Sequence, residues 1–145
     1  PVVWTADAEE AFVQLKEAVK DAVLLMHPDP NFPIILVTDA SDVTLGAALH
    51  QICNSVPEPL AFFSRKLSNT EKGYSVYNRK LLAIFTAIKY FCSQLKGHNF
   101  SVYTDHKPLT HAFKKVSDTN CSPQQLHQLD FILPLKFNKI GLLRR

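Results

Sequence analysis

The sequence has little glycine, little cysteine and no long apolar run. Four of its 145 residues are glycine, 46% are hydrophobic and 20% are charged. This composition excludes collagen-like and disordered chains and predicts one globular domain with its own core. Cys53, Cys92 and Cys121 are widely spaced and form no Cys-x-x-Cys motif. Neither a disulfide framework nor a zinc knuckle is therefore predicted, and we expect buried or half-buried thiols.

Membrane and secretion signals are also missing from the sequence. No segment approaches the roughly 20 apolar residues that a bilayer crossing needs, and the first residues lack the basic-then-apolar pattern of a signal peptide. We therefore expect an intracellular, cytoplasmic protein without membrane contact. The net charge of +3 is too small to predict nucleic-acid binding alone. Basic pairs such as Arg65-Lys66 and Arg79-Lys80 are equally typical of a solvated surface.

Helical and strand patterns alternate along the chain. Asp7 and Glu10 have the spacing of a capping box, and apolar residues then recur at helical intervals through Val19. Residues 33–37 form an apolar run typical of a buried strand. Residues 46–49 and 60–63 are two further strand candidates around a turn at residues 54–58, which predicts an antiparallel meander.

A longer helix follows the predicted meander. Its apolar face steps through Leu81, Ile84, Ile88, Phe91 and Leu95, and Gly97 is placed to end it. Residues 100–103 form a fourth strand, which a helical crossover should place parallel to a neighbour. Pro108 and Pro123 are expected to open two short helices, and residues 135–140 are a candidate fifth strand.

Two of these strands end on the same dipeptide. LVTDASD, residues 36–42, and SVYTDHK, residues 101–107, place Asp39 and Asp105 just past strand ends, where open α/β sheets bind ligands. Two neighbouring carboxylates repel each other unless a cation lies between them, so the pair favours a magnesium site. The alternative is that each aspartate only caps a turn.

The sequence segments around these aspartates resemble those of a known family. TDASDVTLGAALHQ, PLAFFSRKLSNTEKGYSVYNRKLLAIFTAIKYF, GHNFSVYTDHKPL and VVWTADAEEAFVQLKEAV occur in the chain. Together they are similar to the ribonuclease H-like domain of gypsy-type retrotransposon Pol polyproteins. The resemblance covers roughly residues 1–132 and implies an α/β three-layer fold, with a mixed five-stranded sheet and helices on both faces. It also implies that residues 1–30 end a reverse transcriptase connection segment and that residues 31–145 form the ribonuclease H-like domain, with an atypical carboxyl-terminal part.

The resemblance further implies an activity and its partners. The family cleaves the RNA strand of an RNA/DNA hybrid with Mg²⁺ or Mn²⁺ held by acids, and it works beside the reverse transcriptase of the same polyprotein. Asp39 and Asp105 match two of the metal-binding acids. Four basic residues are candidates for contacts with hybrid phosphates: Arg65, Lys66, Arg79 and Lys107. His106 and Lys107 are candidates for the rim of the site, and a structural histidine is the alternative for His106.

The chain departs from the family pattern at two acids. The family has the form Tyr-Ser-x-x-x-Arg-Glu-Leu-Leu-Ala, whereas this chain has YSVYNRKLLA, with Lys80 at the glutamate position. A last acid, usual in an Ala-Asp-x-Leu-Ser-Arg ending, has no match in ILPLKFNKIGLLRR, and Asp130 comes too early to replace it. The catalytic positions are then Asp39, Asp105 and Lys80.

Lys80 leads to two hypotheses about function. In the first, its ammonium partly replaces a metal ion between the acids, so that Mg²⁺ binds weakly and hydrolysis is impaired. In the alternative, the chain is a catalytically inactive, domesticated or relic module that retains nucleic-acid or protein binding. A Lys80 side chain that extends into solvent would remove the basis of the first hypothesis.

Overall fold

The computed structural model describes residues 3–24, 28–107, 109, 122–135 and 137–142. Its strands are β1 (Ile34–Ala40), β2 (Thr44–Cys53), β3 (Val56–Lys66), β4 (Phe100–Thr104) and β5 (Phe137–Leu142). Its helices are α1 (Ala6–Leu24), α2 (Asn69–Lys72), α3 (Val76–Tyr90), α4 (Cys92–Leu95) and α5 (Pro123–Ile132). Within these ranges no helix combines the length and the apolar composition that a membrane crossing requires.

One mixed sheet joins the five strands in the order β3-β2-β1-β4-β5. The first three strands form the predicted antiparallel meander, whereas β4 lies parallel to β1 and β5 lies parallel to β4. The meander turn is tighter than predicted, because Asn54 and Ser55 adopt positive φ angles of 51° and 68° and allow a two-residue turn. The predicted α/β fold with a mixed five-stranded sheet is confirmed, and the fifth strand begins two residues later than predicted.

The hydrophobic core lies between the sheet and α3. The predicted apolar face of this helical region is buried, with 0% exposure at Leu81, Ile84 and Phe91 and 1% at Ile88. Ile34 and Leu36 of β1 face this helix and are buried, while Ile35 and Val37 on the opposite face are half-buried. α5 packs against α3 through an edge-to-face contact of Phe85 with Phe131. α3 is therefore held against both the sheet and α5.

The amino-terminal helix differs from its prediction in its cap. The hydroxyl oxygen of Thr5 accepts a hydrogen bond of 3.2 Å from the Ala8 N–H, so Thr5 caps α1 and Asp7 lies inside the helix. A threonine directly before the first turn supplies the acceptor that the capping-box prediction assigned to Asp7. The apolar side chains of α1 remain accessible, with exposures of 45% at Phe12 and 65% at Leu15.

Three smaller predictions can be compared with the structure. Pro123 lies in the first turn of α5 after a capping Ser122, as predicted, whereas Pro108 lies outside the described residues. Cys53 is half-buried, but the prediction was wrong for Cys92, which is exposed because it opens the short helix α4 on the surface. Cys121 lies outside the described residues.

Candidate active site

Asp39 and Asp105 lie side by side at one edge of the sheet. β1 and β4 are neighbouring parallel strands, and the register pairs Thr38 with Thr104. Asp39 follows Thr38 within β1, and Asp105 directly follows β4. The two Thr-Asp dipeptides therefore end at the same height, because parallel strands in this register bring equivalent positions together.

Lys80 lies between these two acids. It belongs to the first half of α3, and its Nζ atom donates to Oδ1 of Asp39 and lies 2.7 Å from Oδ1 of Asp105. Only 9% of the Lys80 side chain is exposed, compared with 29% for Asp105 and 63% for Asp39. The side chain does not extend into solvent. The hypothesis of a snorkelling Lys80 is therefore wrong.

The charge of Lys80 is stabilised by its two partners. Burial lowers the pKa of Lys80, but hydrogen bonds to Asp105 and Asp39 and their negative charges outweigh burial, so the pKa lies above its ordinary value. The ammonium therefore remains protonated at neutral pH. The site contains two carboxylates held by one fixed cation.

These residues do not fit a pair of magnesium ions while Lys80 is bound to them. Mg²⁺ needs near-octahedral oxygen ligands, and the two carboxylates that Lys80 contacts are those of Asp39 and Asp105. The Oδ1 atom of each carboxylate contacts the Lys80 ammonium, which has no lone pair to offer a metal. Among the described residues, no group of three or more His, Cys, Asp or Glu side chains is arranged to hold a metal.

Arg65 and Lys66 lie at the end of β3, beside the start of β2. The Arg65 guanidinium forms a two-point contact with Glu71, with distances of 2.8 and 3.0 Å. The hydrogen bond from Arg65 is the main reason why the pKa of Glu71 is lowered to about 2. Lys66 is exposed. Of this predicted pair, Lys66 is the more open to an external phosphate.

Arg79 is held by the protein itself. Its Nη2 atom lies 2.6 Å from Oδ1 of Asp42, and its Nη1 atom donates to the carbonyl oxygen of Tyr74 at 2.8 Å. This pair could not be predicted from the sequence, because Arg79 and Asp42 are 37 residues apart and no periodic pattern links them. The contact places Asp42, in the loop after β1, next to the amino-terminal part of α3.

His106 and Lys107 directly follow Asp105 in the chain, after the end of β4. The His106 ring packs edge-on against Tyr77, with 6.0 Å between ring centroids, and its backbone N–H donates to the Thr104 hydroxyl. The Nδ1 atom of His106 is buried and has no hydrogen-bond partner within the described part of the chain. Lys107 is exposed. His106 is thus packed into the edge of the site, and Lys107 lies on its surface.

The fold and the paired acids define a ribonuclease H-like domain. The chain belongs to the family described as "RNase H-like domain found in reverse transcriptase", whose model matches residues 4–102. It is 36% identical over 120 residues to the Pol polyprotein of transposon 412 from Drosophila melanogaster, which covers 83% of this chain and 10% of the relative. Identity to the Pol polyprotein of transposon 297, also from Drosophila melanogaster, is 40% over 100 residues, covering 69% of this chain and 9% of the relative. The chain therefore spans about a tenth of these relatives, and it is an RNase H-like domain of a retrotransposon Pol polyprotein.

Solved structures support the same fold. A foamy viral protease-reverse transcriptase in complex with double-stranded DNA superposes with a TM-score of 0.76 at 17% identity, covering 98% of this chain and 27% of that chain. LC11-RNase H1 in complex with an RNA/DNA hybrid superposes with a TM-score of 0.54 at 14% identity, covering 77% of this chain and 86% of that chain. At these identities the similarity establishes the fold alone.

Proposed function

We propose that this chain binds RNA/DNA hybrids as the ribonuclease H-like domain of its polyprotein and that its cleavage of the RNA strand is impaired. The observation that carries the proposal is the contact of the Lys80 ammonium with both Asp39 and Asp105. In this proposal residues 1–30 are the end of the connection segment and residues 31–145 are the ribonuclease H-like domain. The exposed apolar side chains of α1 are consistent with a segment that contacts the reverse transcriptase.

The chemistry of an ammonium explains the proposed impairment. A bound Mg²⁺ or Mn²⁺ ion supplies the Lewis acidity that makes water a nucleophile at neutral pH. The ammonium of Lys80 supplies positive charge and relieves the repulsion between Asp39 and Asp105, but it cannot coordinate water. Affinity for either metal is expected to be weak, because the metal would have to displace a buried, hydrogen-bonded cation.

Hybrid binding requires cations at the same edge of the sheet. Lys66 and Lys107 are exposed there, one at the end of β3 and the other just after β4. Phosphate contacts dominate affinity for nucleic acids and need no particular base sequence. Binding can therefore be retained when hydrolysis is lost. LC11-RNase H1, which shares the fold, forms a complex with an RNA/DNA hybrid, and this supports a hybrid as the ligand proposed for the present chain.

Cleavage of a labelled RNA/DNA hybrid in Mg²⁺ and in Mn²⁺ tests the proposal. The native chain should cleave slowly or not at all, and Lys80→Glu should increase the rate by at least about tenfold, which corresponds to about 1.4 kcal/mol of barrier. Adding Asp39→Asn to Lys80→Glu should abolish the gain. Lys89→Glu, the same charge change at an exposed position of α3, should leave the native rate unchanged.

Two other results would lead to different conclusions. Rapid cleavage by the native chain that is lost in Asp39→Asn would show that the ammonium does not impair hydrolysis, and the proposal would be wrong. No cleavage by any variant, with hybrid binding retained in a gel shift, would favour the inactive, domesticated or relic module. That second candidate is favoured because, among the described residues, no group of three or more His, Cys, Asp or Glu side chains is arranged to hold a metal.

A further inference from the structure

The Arg79 guanidinium is held in one position by backbone carbonyl oxygens and by Asp42. Only 12% of its side chain is exposed. Its Nη1 atom donates to the carbonyl oxygens of Tyr74 at 2.8 Å and Lys72 at 3.4 Å, so the inner side of the guanidinium is held by backbone. Its Nη2 atom contacts the carboxylate of Asp42. A guanidinium held in this way is preorganised for an anion on its outer side.

The anion that occupies this position is weakly held. The Asp42 side chain is 89% exposed, and its contact with Arg79 is a single 2.6 Å pair. Ion pairs with such exposure contribute at most about 1 kcal/mol, because water solvates the carboxylate almost equally well. Asp42 lies three residues after Asp39, and Arg79 precedes Lys80 in α3. Each member of the pair is therefore close in sequence to a residue of the candidate active site.

We infer that Asp42 occupies, in the free protein, the position on Arg79 that a backbone phosphate of the RNA/DNA hybrid takes in the complex. Asp42 is then an internal competitor that lowers hybrid affinity. The nature of the ligand rests on the proposed function, whereas the anion site itself does not. A phosphate competes well with Asp42 for two reasons. It can accept two hydrogen bonds from the Arg79 guanidinium, and its binding releases counterions from the nucleic acid.

The alternative is that the Arg79–Asp42 pair only braces the loop after β1. The two explanations predict opposite effects of Asp42→Asn. Loss of a brace should lower the melting temperature and weaken or leave unchanged the binding of hybrid. Loss of a competitor should tighten hybrid binding, because Arg79 is then available without displacement of a carboxylate.

Hybrid affinity should be measured by fluorescence anisotropy in a metal-free buffer that contains a chelator, so that cleavage cannot interfere. Asp42→Asn should lower the Kd by about two- to fivefold, the range that corresponds to a weak exposed pair. Asp21→Asn, which removes the same charge from an exposed position of α1, controls for long-range electrostatics. Its effect should be clearly smaller.

A double-mutant cycle shows whether the effect acts through Arg79. In an Arg79→Gln background, Asp42→Asn should change the Kd no more than Asp21→Asn does. Circular dichroism checks that the variants are folded, and Arg79→Lys, which keeps the charge but loses the fork, replaces Arg79→Gln if that variant unfolds. An equal gain from Asp42→Asn with and without Arg79, or no gain at all, would overturn the inference.

A second measurement separates this inference from the proposed function. If no variant binds hybrid, the proposed function fails, and the anion site is tested with inorganic phosphate alone. The side-chain Nε–H signal of Arg79, assigned by its loss in Arg79→Gln, is followed by NMR during a phosphate titration. A response at several-fold lower phosphate in Asp42→Asn than in the native chain supports the anion site. Identical responses would overturn it.

Discussion

The Nζ atom of Lys80 lies 2.7 Å from Oδ1 of Asp105, and both side chains are mostly enclosed, with 9% and 29% exposure. The other partner of Lys80, Asp39, has 63% of its side chain exposed. One ammonium thus joins an enclosed carboxylate to a solvated one. The two acids should therefore contribute unequally to stability, although both contact the same nitrogen atom.

Asp105→Asn should destabilise the fold more than Asp39→Asn. Removal of the Asp105 charge leaves a buried ammonium with one solvated partner, and we expect a loss of about 2 kcal/mol in the free energy of unfolding. Asp39→Asn should cost less than about 1 kcal/mol, because water replaces most of what the carboxylate provides. Urea unfolding at neutral pH measures both values. Equal losses would show that exposure does not determine the strength of these contacts.

The Arg65–Glu71 contact should make stability depend on acid pH. The pKa of Glu71 is lowered from 4.5 to about 2 in the folded chain, with the hydrogen bond from Arg65 as the largest cause. A lowered folded-state pKa stabilises the protein fully above the unfolded pKa, and this contribution is lost as the pH falls from about 4.5 toward 2. The difference in unfolding free energy between the native chain and Glu71→Gln should therefore be constant above about pH 5 and should shrink below it.

Glu71→Gln suits this comparison because it keeps the local geometry. Glu71 closes a capping box with Ser68 at the start of α2, and glutamine can make the same backbone contact. Glu17→Gln is the control, because that acid is 60% exposed in its pair with Lys20. If the Glu17→Gln difference varies with pH as strongly as the Glu71→Gln difference, the Arg65 contact is not the cause.

The sequence predicted those features that a periodic or repeated pattern specifies. The apolar spacing from Leu81 to Phe91 determined the buried face of α3, because only one face of a helix can meet the sheet. The repeated Thr-Asp ending placed Asp39 and Asp105 at the same edge, because parallel neighbours align equivalent positions. The four-residue step from Lys80 to Ile84 put the lysine on the side that faces the sheet.

Other features could not be predicted, since they depend on where a long side chain ends. Arg79 adjoins Lys80 in sequence, yet its guanidinium turns away to Asp42 and the Tyr74 carbonyl. Nothing in the spacing of 37 residues between Arg79 and Asp42 indicates this contact. A local signal was available for Glu71, because Ser68-Asn-Thr-Glu71 has the form of a capping box. That signal predicts a helix start but not the additional contact with Arg65.

Gly141→Ala should destabilise the junction of β4 and β5. A Cβ atom at Gly141 would lie 2.5 Å from Cε1 and 2.8 Å from Cδ1 of the Tyr103 ring, so the ring or the strand must shift. Overpacking of this kind costs about 1–3 kcal/mol. Gly46→Ala in β2 is the matched control, because a Cβ there meets nothing within 4 Å. Thermal melting should show a clear loss for Gly141→Ala alone, and equal shifts would contradict the assigned cause.

Magnesium should stabilise Lys80→Glu but not the native chain. The substitution replaces the cation between Asp39 and Asp105 with a third carboxylate, so the metal-free variant should melt below the native chain, because three close acids repel one another. Once the Mg²⁺ concentration exceeds its Kd, each tenfold rise in concentration should restore about 1.4 kcal/mol of unfolding free energy. Thermal melts at constant ionic strength, with Lys89→Glu as the control for charge on α3, measure the effect. Equal stabilisation of the native chain would show that the ammonium of Lys80 does not exclude the metal, and the physical basis of the proposed impairment would be lost.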